Sequence, residues 1–378
     1  MEEYNQDLEN KYIEEEDVDS NDAVGPFDPN DIDVDISVVN LGSLLEELEY
    51  EEIDLKPEFQ RSSDVWSPVQ KSRLIESVLL GLPLPSFYFS EDLETNKLIV
   101  VDGLQRLCAF SDFCIKKKLK LKGMQFLTSL EGLTYNDLDR VQIRRINSLK
   151  ITRNTLRKNT PQRVKYVIFQ RVNTAGVTLT PQEMRNALYQ KKATDLLRKM
   201  VSKESSFEKA TGGKIPSKRM ADCDFANRFL AFYLCREDYD GNLNEFMGDA
   251  LEKINKMNVQ DIEKIYVAFD KSMATCYQLF GDTAFKRPNP KKPGSFYNKI
   301  NKAIFEALSV SIANLTDDEQ KMLLQKKSQF LNDIYLLFTT DDFHKSITAG
   351  TAKKPQVDYR HSQIQNLINK IINNDKQS

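Results

Sequence analysis

Leu98-Ile99-Val100-Val101 is an unbroken aliphatic run that ends at Asp102-Gly103 and gives way to Leu104, Leu107, Cys108 and Ser111 at helical spacing. Four such residues in a row suit a strand covered on both faces. Asp-Gly is turn chemistry, and the recurrence that follows predicts a helix starting directly after it. The stretch therefore asks for a fold that mixes sheet and helix. The helix N-terminus presents free backbone N–H groups and the positive end of a dipole, an environment suited to a phosphate or another anion. Arg106 stands beside it with a planar fork of donors. The same letters also read as a capping box between Asp102 and Gln105. Capping leaves Arg106 unexplained, because an arginine in the first turn opposes the helix dipole unless an anion is near.

With 378 residues the chain exceeds one small core and suggests two or three domains. No apolar run approaches the ~20 residues that span a bilayer, and the first residues are acidic instead of basic and then apolar, so we expect a cytoplasmic protein without a membrane partner. Cys108, Cys114, Cys223, Cys235 and Cys276 are odd in number and scattered. They read as buried reduced thiols, with neither a disulfide framework nor a metal site. Charge is divided unevenly. Residues 1–35 hold fourteen Asp or Glu and one Lys, a net of −13, which leaves +10 for residues 36–378 within the overall −3. So acidic a segment, poor in aromatics, cannot offset its ordering entropy and is expected to be disordered. The basic body is compatible with nucleic acid or with a solvated lysine-rich surface.

Residues 36–49 read as a short strand and a helix packing through Leu41, Leu44, Leu45 and Leu48. A well-punctuated helix follows, with Ser67 as N-cap, Pro68 at N1, Gln70 completing a capping box, a stripe of Leu74, Ile75, Val78 and Leu79, and Gly81 as the stop. Residues 86–89 and 97–101 read as strands, as does the alternating Lys118-Leu119-Lys120-Leu121-Lys122 within 116–126. A helix over 136–146, a strand over 148–156, a helix from Thr160-Pro161 to Val172 and another from Thr180-Pro181 complete this half.

The order of motifs resembles a known family. Pro57-x-x-Gln60-Arg61, then Gly81-x-Pro83-x-Pro85, then Val101-Asp102-Gly103-Leu104-Gln105-Arg106-Leu107, then Phe169-x-Arg171-x-Asn173-x-x-Gly176-x-x-Leu179-x-x-x-Glu183 is similar to the N-terminal domain of GmrSD-type restriction endonucleases. The resemblance implies a ParB/sulfiredoxin-like α+β domain over 36–190. It also implies a nucleotide-binding component of a DNA restriction or anti-phage defence system, its DGQQR motif tied to binding and hydrolysis. Asp102, Gln105 and Arg106 would carry the chemistry, and Gln60, Arg61, Gly103, Arg171 and Asn173 would hold a nucleoside triphosphate, with Mg2+ as the accompanying ion. The chain departs at Leu104, where the family has glutamine, which bears on hydrolysis more than on binding. No glycine-rich loop followed by Lys-Ser/Thr marks a Walker NTPase. The alternative is a non-catalytic DNA-binding or protein-interaction module on the same fold.

From residue 191 onward the pattern predicts an all-helical domain, with apolar repeats in 225–235, 262–280, 300–312, 322–338 and 364–372. His344 and His361 are the two histidines and neither pairs with a nearby Asn, so an HNH nuclease of the kind that relatives carry is not expected here. DNA chemistry would then fall to a partner nuclease or methyltransferase. His361, beside Arg360, reads as a surface residue at a helix start. Lys286, Arg287, Lys291 and Lys292 crowd a proline-rich stretch beside Phe296 and Tyr297, which suits a nucleic-acid backbone or a solvated linker.

Overall fold

A computed structural model describes residues 11–16, 28, 31–55, 66–92, 95–172, 179–292 and 294–373. Their contacts form two compact units, Gly25–Leu179 and a second that joins Met1–Val24 to Thr180–Ser378. The divisions fall upstream of those expected after residues 35 and 190.

In the first unit the described elements run β1 (Val34–Asn40), α1 (Leu41–Glu49), β2 (Ile53–Asp54), α2 (Pro68–Leu80), β3 (Phe87–Glu91), β4 (Leu98–Asp102), α3 (Leu104–Phe110), α4 (Arg140–Ser148), β5 (Lys150–Leu156) and α5 (Gln162–Val172). The strands form one mixed sheet in the order β1-β5-β3-β4-β2, with β5 parallel to β3, β4 parallel to β2 and the other pairs antiparallel. All four aliphatic residues of β4 are buried. Leu98 and Val100 share a core with Phe87, Phe89 and the apolar faces of α1, α2 and α3. Ile99 and Val101 point to the opposite side, because strand side chains alternate, and α5 contacts β4. This is the mixed α/β architecture that the run at 98–101 asked for.

Helix α2 has the expected punctuation. Ser67 Oγ accepts from Gln70 N at 3.3 Å, Ser67 N donates to Gln70 Oε1 at 2.9 Å, and Gly81 closes the helix at φ 77°. Residues 116–126 keep the alternation of burial, with Leu119 and Leu121 inside, but pair with no strand. Their backbone groups go elsewhere. Leu121 exchanges hydrogen bonds with Leu133 and Gly132, and the N–H groups of Gln125, Phe126 and Leu127 donate to the buried carboxylate of Glu76. Burial alone would raise the Glu76 pKa; those three donors outweigh it and hold the group below its usual range.

The second unit holds α6 (Pro181–Leu188), α7 (Lys192–Met200), α8 (Ser206–Thr211), α9 (Ala221–Cys235), α10 (Leu243–Lys256), α11 (Val259–Phe280), β6 (Lys286–Pro288), β7 (Phe296–Ile300), α12 (Lys302–Ala313), α13 (Asp317–Gln325), α14 (Lys327–Thr339), α15 (Asp341–Ser346) and α16 (Lys354–Asn373). Two expectations are corrected here. The unit is not all-helical, because the proline-rich stretch belongs to an antiparallel hairpin of β6 and β7, its turn closed by Asn289 N donating to Ser295 O at 2.9 Å. The repeat over 322–338 is two helices, since Lys326 leaves helical geometry at φ −93° and ψ 22°.

A third correction concerns Arg360 and His361, both fully buried. Arg360 pairs with Glu306 and donates to the carbonyls of Ser346 and Thr351, while the His361 ring lies 5.2 Å from that of Phe232. Helix α16 begins at Lys354, six residues earlier, which carries the pair into the interior. All five cysteines are unbridged, and all but the half-buried Cys235 are buried.

Candidate functional site at the strand–helix junction

β4 delivers Asp102 to the end of the strand in register with Tyr88 of β3. The chain then turns at Gly103, the N-cap of α3, whose φ is 101°. Glycine is required here twice over. The backbone lies where side chains are disfavoured, and a Cβ would come within 2.5 Å of the Phe87 ring and 3.1 Å of the Arg106 guanidinium. Because the cap sits at Gly103, the capping box read between Asp102 and Gln105 does not form, and α3 has no side-chain cap.

Arg106 closes the junction from within. It is 9 % exposed and lies 4.2 Å over the Phe87 ring. It donates to Asp102 Oδ2 at 2.9 Å, to Ser86 O at 3.1 Å and to Pro85 O. One guanidinium thus ties the segment entering β3 to the end of β4 and the first turn of α3. Burial pushes the Arg106 pKa down, and Asp102 pulls it back up. Leu104 is buried in the core shared with α2 and the sheet, so this position faces apolar neighbours.

Two motif residues keep polar atoms uncommitted. The Asp102 side chain is 36 % exposed, and its Oδ1 takes no hydrogen bond among the described residues. Gln105 Oε1 is buried and also lacks a partner among them. A buried acceptor without a donor is uncommon in a folded protein, and it marks Gln105 as a position awaiting one. Arg171 lies on the exposed face of the last turn of α5. Gln60, Arg61 and Asn173 lie outside the described residues. The structure therefore brings together Asp102, Gly103, Gln105 and Arg106. No group of three or more metal-ligating side chains occurs among the described residues.

The cations read as a nucleic-acid contact separate into two kinds. Lys291 and Lys292 are exposed in the turn of the hairpin. Lys286 is buried, and Arg287 is held by Glu14 at 2.7 Å and stacked 5.0 Å from the Tyr297 ring. Sequence reasoning missed the partners of Arg106, since carbonyls carry no signature in the letters. It also missed Lys165, a buried amine on α5 that donates to Glu91 O at 3.3 Å and whose pKa burial lowers against the pull of Glu91 and Asp92. A groove of about 490 Å³ lies away from the junction, lined among others by Ser43, Glu46, Lys117 and Asn147.

No curated protein and no solved structure matches the chain. A family does: residues 41–190 match the family described as GmrSD restriction endonuclease, N-terminal domain. That span contains α1 to α5, the five-residue motif at the end of β4 and the capped start of α6. Residues 41–190 of this chain are similar to the N-terminal domain of GmrSD restriction endonucleases.

Proposed function

We propose that this chain is a nucleotide-binding component of a DNA restriction or anti-phage defence system, acting in the cytoplasm, on a ParB/sulfiredoxin-like first unit. The observation that carries the reading is the family match over 41–190, with the family's motif standing as Asp102-Gly103-Leu104-Gln105-Arg106 at a strand–helix turn.

The residues fit a nucleotide in a particular division of labour. Asp102 offers a half-exposed carboxylate oxygen that could hold Mg2+ or a sugar hydroxyl, and Gln105 offers an amide whose acceptor is otherwise orphaned. Gly103 brings the backbone close without a side chain. Arg106 acts as a positioning residue, since its fork is turned onto Asp102, Pro85 and Ser86; phosphate pairing then falls to Arg61 and Arg171, with Gln60 and Asn173 as further contacts. The bound triphosphate would supply a cleavable phosphoanhydride, and the protein's part is to orient it. A partner nuclease or methyltransferase supplies the DNA chemistry, and Lys291 and Lys292 offer exposed charge to a DNA backbone.

A specific observation favours a second reading in which turnover is lost and binding is kept. Leu104 is a core residue, so this position offers no polar group to orient water. Binding and hydrolysis assays with all four nucleoside triphosphates, with and without duplex DNA, separate the readings. Binding with turnover supports the first, binding alone the second. No binding of any triphosphate overturns both.

A further inference from the structure

Of the acidic stretch expected to lack structure, residues 11–16 pack into the second unit. They lie extended along the end of β7: Ile300 N donates to Tyr12 O at 2.7 Å and Glu14 N donates to Ile300 O at 2.9 Å, a parallel bridge centred on Ile13. Side chains on such a segment alternate, which puts Glu14 and Glu16 on one face and Ile13 and Glu15 on the other. Ile13 is buried at 6 % exposure and Glu15 is exposed.

Glu14 and Glu16 each meet cations. Glu14 accepts from Arg287 Nε at 2.7 Å and from Asn301 Nδ2 at 2.7 Å. Glu16 takes both terminal nitrogens of Arg228, at 2.8 and 2.6 Å, and lies 3.6 Å from Lys302 Nζ. Arg228 and Lys302 belong to a continuous string of ion pairs, Arg185–Asp224–Lys302–Glu16–Arg228–Glu306–Arg360. Without Glu16 that string has four cations and two carboxylates. The helices leave a cationic vacancy, and the acidic segment fills it.

We propose that the second unit carries a peptide-binding groove that reads an extended Tyr-Ile-Glu-x-Glu segment, and that residues 12–16 occupy it in cis as a tethered ligand. The two main-chain hydrogen bonds to Ile300 require an amide backbone, so the ligand is a peptide and not a polyphosphate. The burial of Ile13 and the bidentate pair on Arg228 set the pattern, and tethering raises the segment's effective concentration so that two main-chain bonds suffice. The device also covers Arg287 and Arg228, which become available to another acidic peptide only when the segment leaves.

The test uses the full-length chain and a fluorescently labelled peptide with the sequence of residues 11–16. In wild-type protein the groove is filled, and the peptide shows little binding by anisotropy. In the Glu14→Gln/Glu16→Gln double variant the tethered segment is weakened, and the peptide binds at least tenfold more tightly than to wild type. A peptide carrying the same two substitutions loses that binding. Should the double variant fail to fold by circular dichroism, Ile13→Ala in the full chain releases the segment while keeping both carboxylates, and the same comparison applies. Equal binding to wild type and variant, or to neither, overturns the proposal. Concentration-dependent dimerisation of wild type that Glu16→Gln abolishes also overturns it, because the segment would then dock in trans.

Discussion

Arg106 directs its charge inward, and a substitution there acts on the fold before it acts on a ligand. Arg106→Ala removes donors from Asp102, Pro85 and Ser86 and uncovers the Phe87 ring. Asp102 is partly solvated, so the loss is smaller than for a fully buried pair, about 2–3 kcal/mol, or roughly 5–10 °C in Tm. Arg106→Lys recovers little, because an ammonium cannot reproduce the fork. Thermal melts of the three proteins decide this, and an unchanged Tm in Arg106→Ala contradicts the inward role. At the same scale, His361 and Glu306 make the second unit sensitive to acid. Burial lowers His361 to about 4, and at 3.8 Å the Glu306 carboxylate is beyond hydrogen-bond reach, so it only partly offsets this. Burial would raise Glu306, but Arg360, Arg228 and His361 outweigh it and lower it to about 2. Both groups bind protons more tightly in the unfolded chain. Their stabilisation is full above about pH 6.5, falls through the window down to about 4 for His361, and falls further from about 4.5 to 2 for Glu306. Melts from pH 7.5 to 4.5 should show declining Tm, and His361→Phe should flatten that decline.

Elements were legible where local signals and tertiary packing agree. The helix α2 could be read from Ser67, Pro68, Gln70 and Gly81 because caps are written in adjacent letters; Ser67→Ala should cost about 1 kcal/mol, measurable by urea denaturation. β4 and its turn were legible because a buried aliphatic run and Asp-Gly leave few alternatives. Residues 116–126 show the limit of the same logic. Alternation reports which side chains are buried, yet a strand also needs a partner, and Glu76, forty-nine residues before Gln125, captures these backbone donors instead. The capping box at Asp102 failed for a related reason. Gly103 can adopt φ 101° and take the cap position, which leaves Asp102 to Arg106. Arg360 and His361 were misplaced because nothing in neighbouring letters announces Glu306, a partner fifty-four residues away.

For the molecule as a whole, charge was read correctly in amount and only partly in placement. The surplus of acid in residues 1–35 is not all solvated, since Glu14 and Glu16 neutralise cations of the second unit. Arg287, expected to face nucleic acid, is one of those cations, while Lys291 and Lys292 remain exposed. Removing residues 1–10, which hold four carboxylates and no Lys or Arg and lie outside the packed segment 11–16 and β1, should tighten binding of a labelled DNA duplex at low salt. The gain should shrink as salt rises, and binding by the truncated protein should fall steeply over the same range because neutralised phosphates release counterions. Absence of duplex binding by either protein at low salt would rule out DNA as a ligand of this chain.

We propose that a nucleotide is held at the turn between β4 and α3, and Gln105 tests that site with least disturbance to the fold. Its Oε1 has no partner among the described residues, so Gln105→Ala deletes no hydrogen bond that the described fold makes through that atom. Calorimetric titration of whichever triphosphate binds wild type best should show the variant weakened about tenfold, roughly 1.4 kcal/mol, with Tm unchanged within a degree or two. Equal affinity in the two proteins would contradict a nucleotide site at this junction.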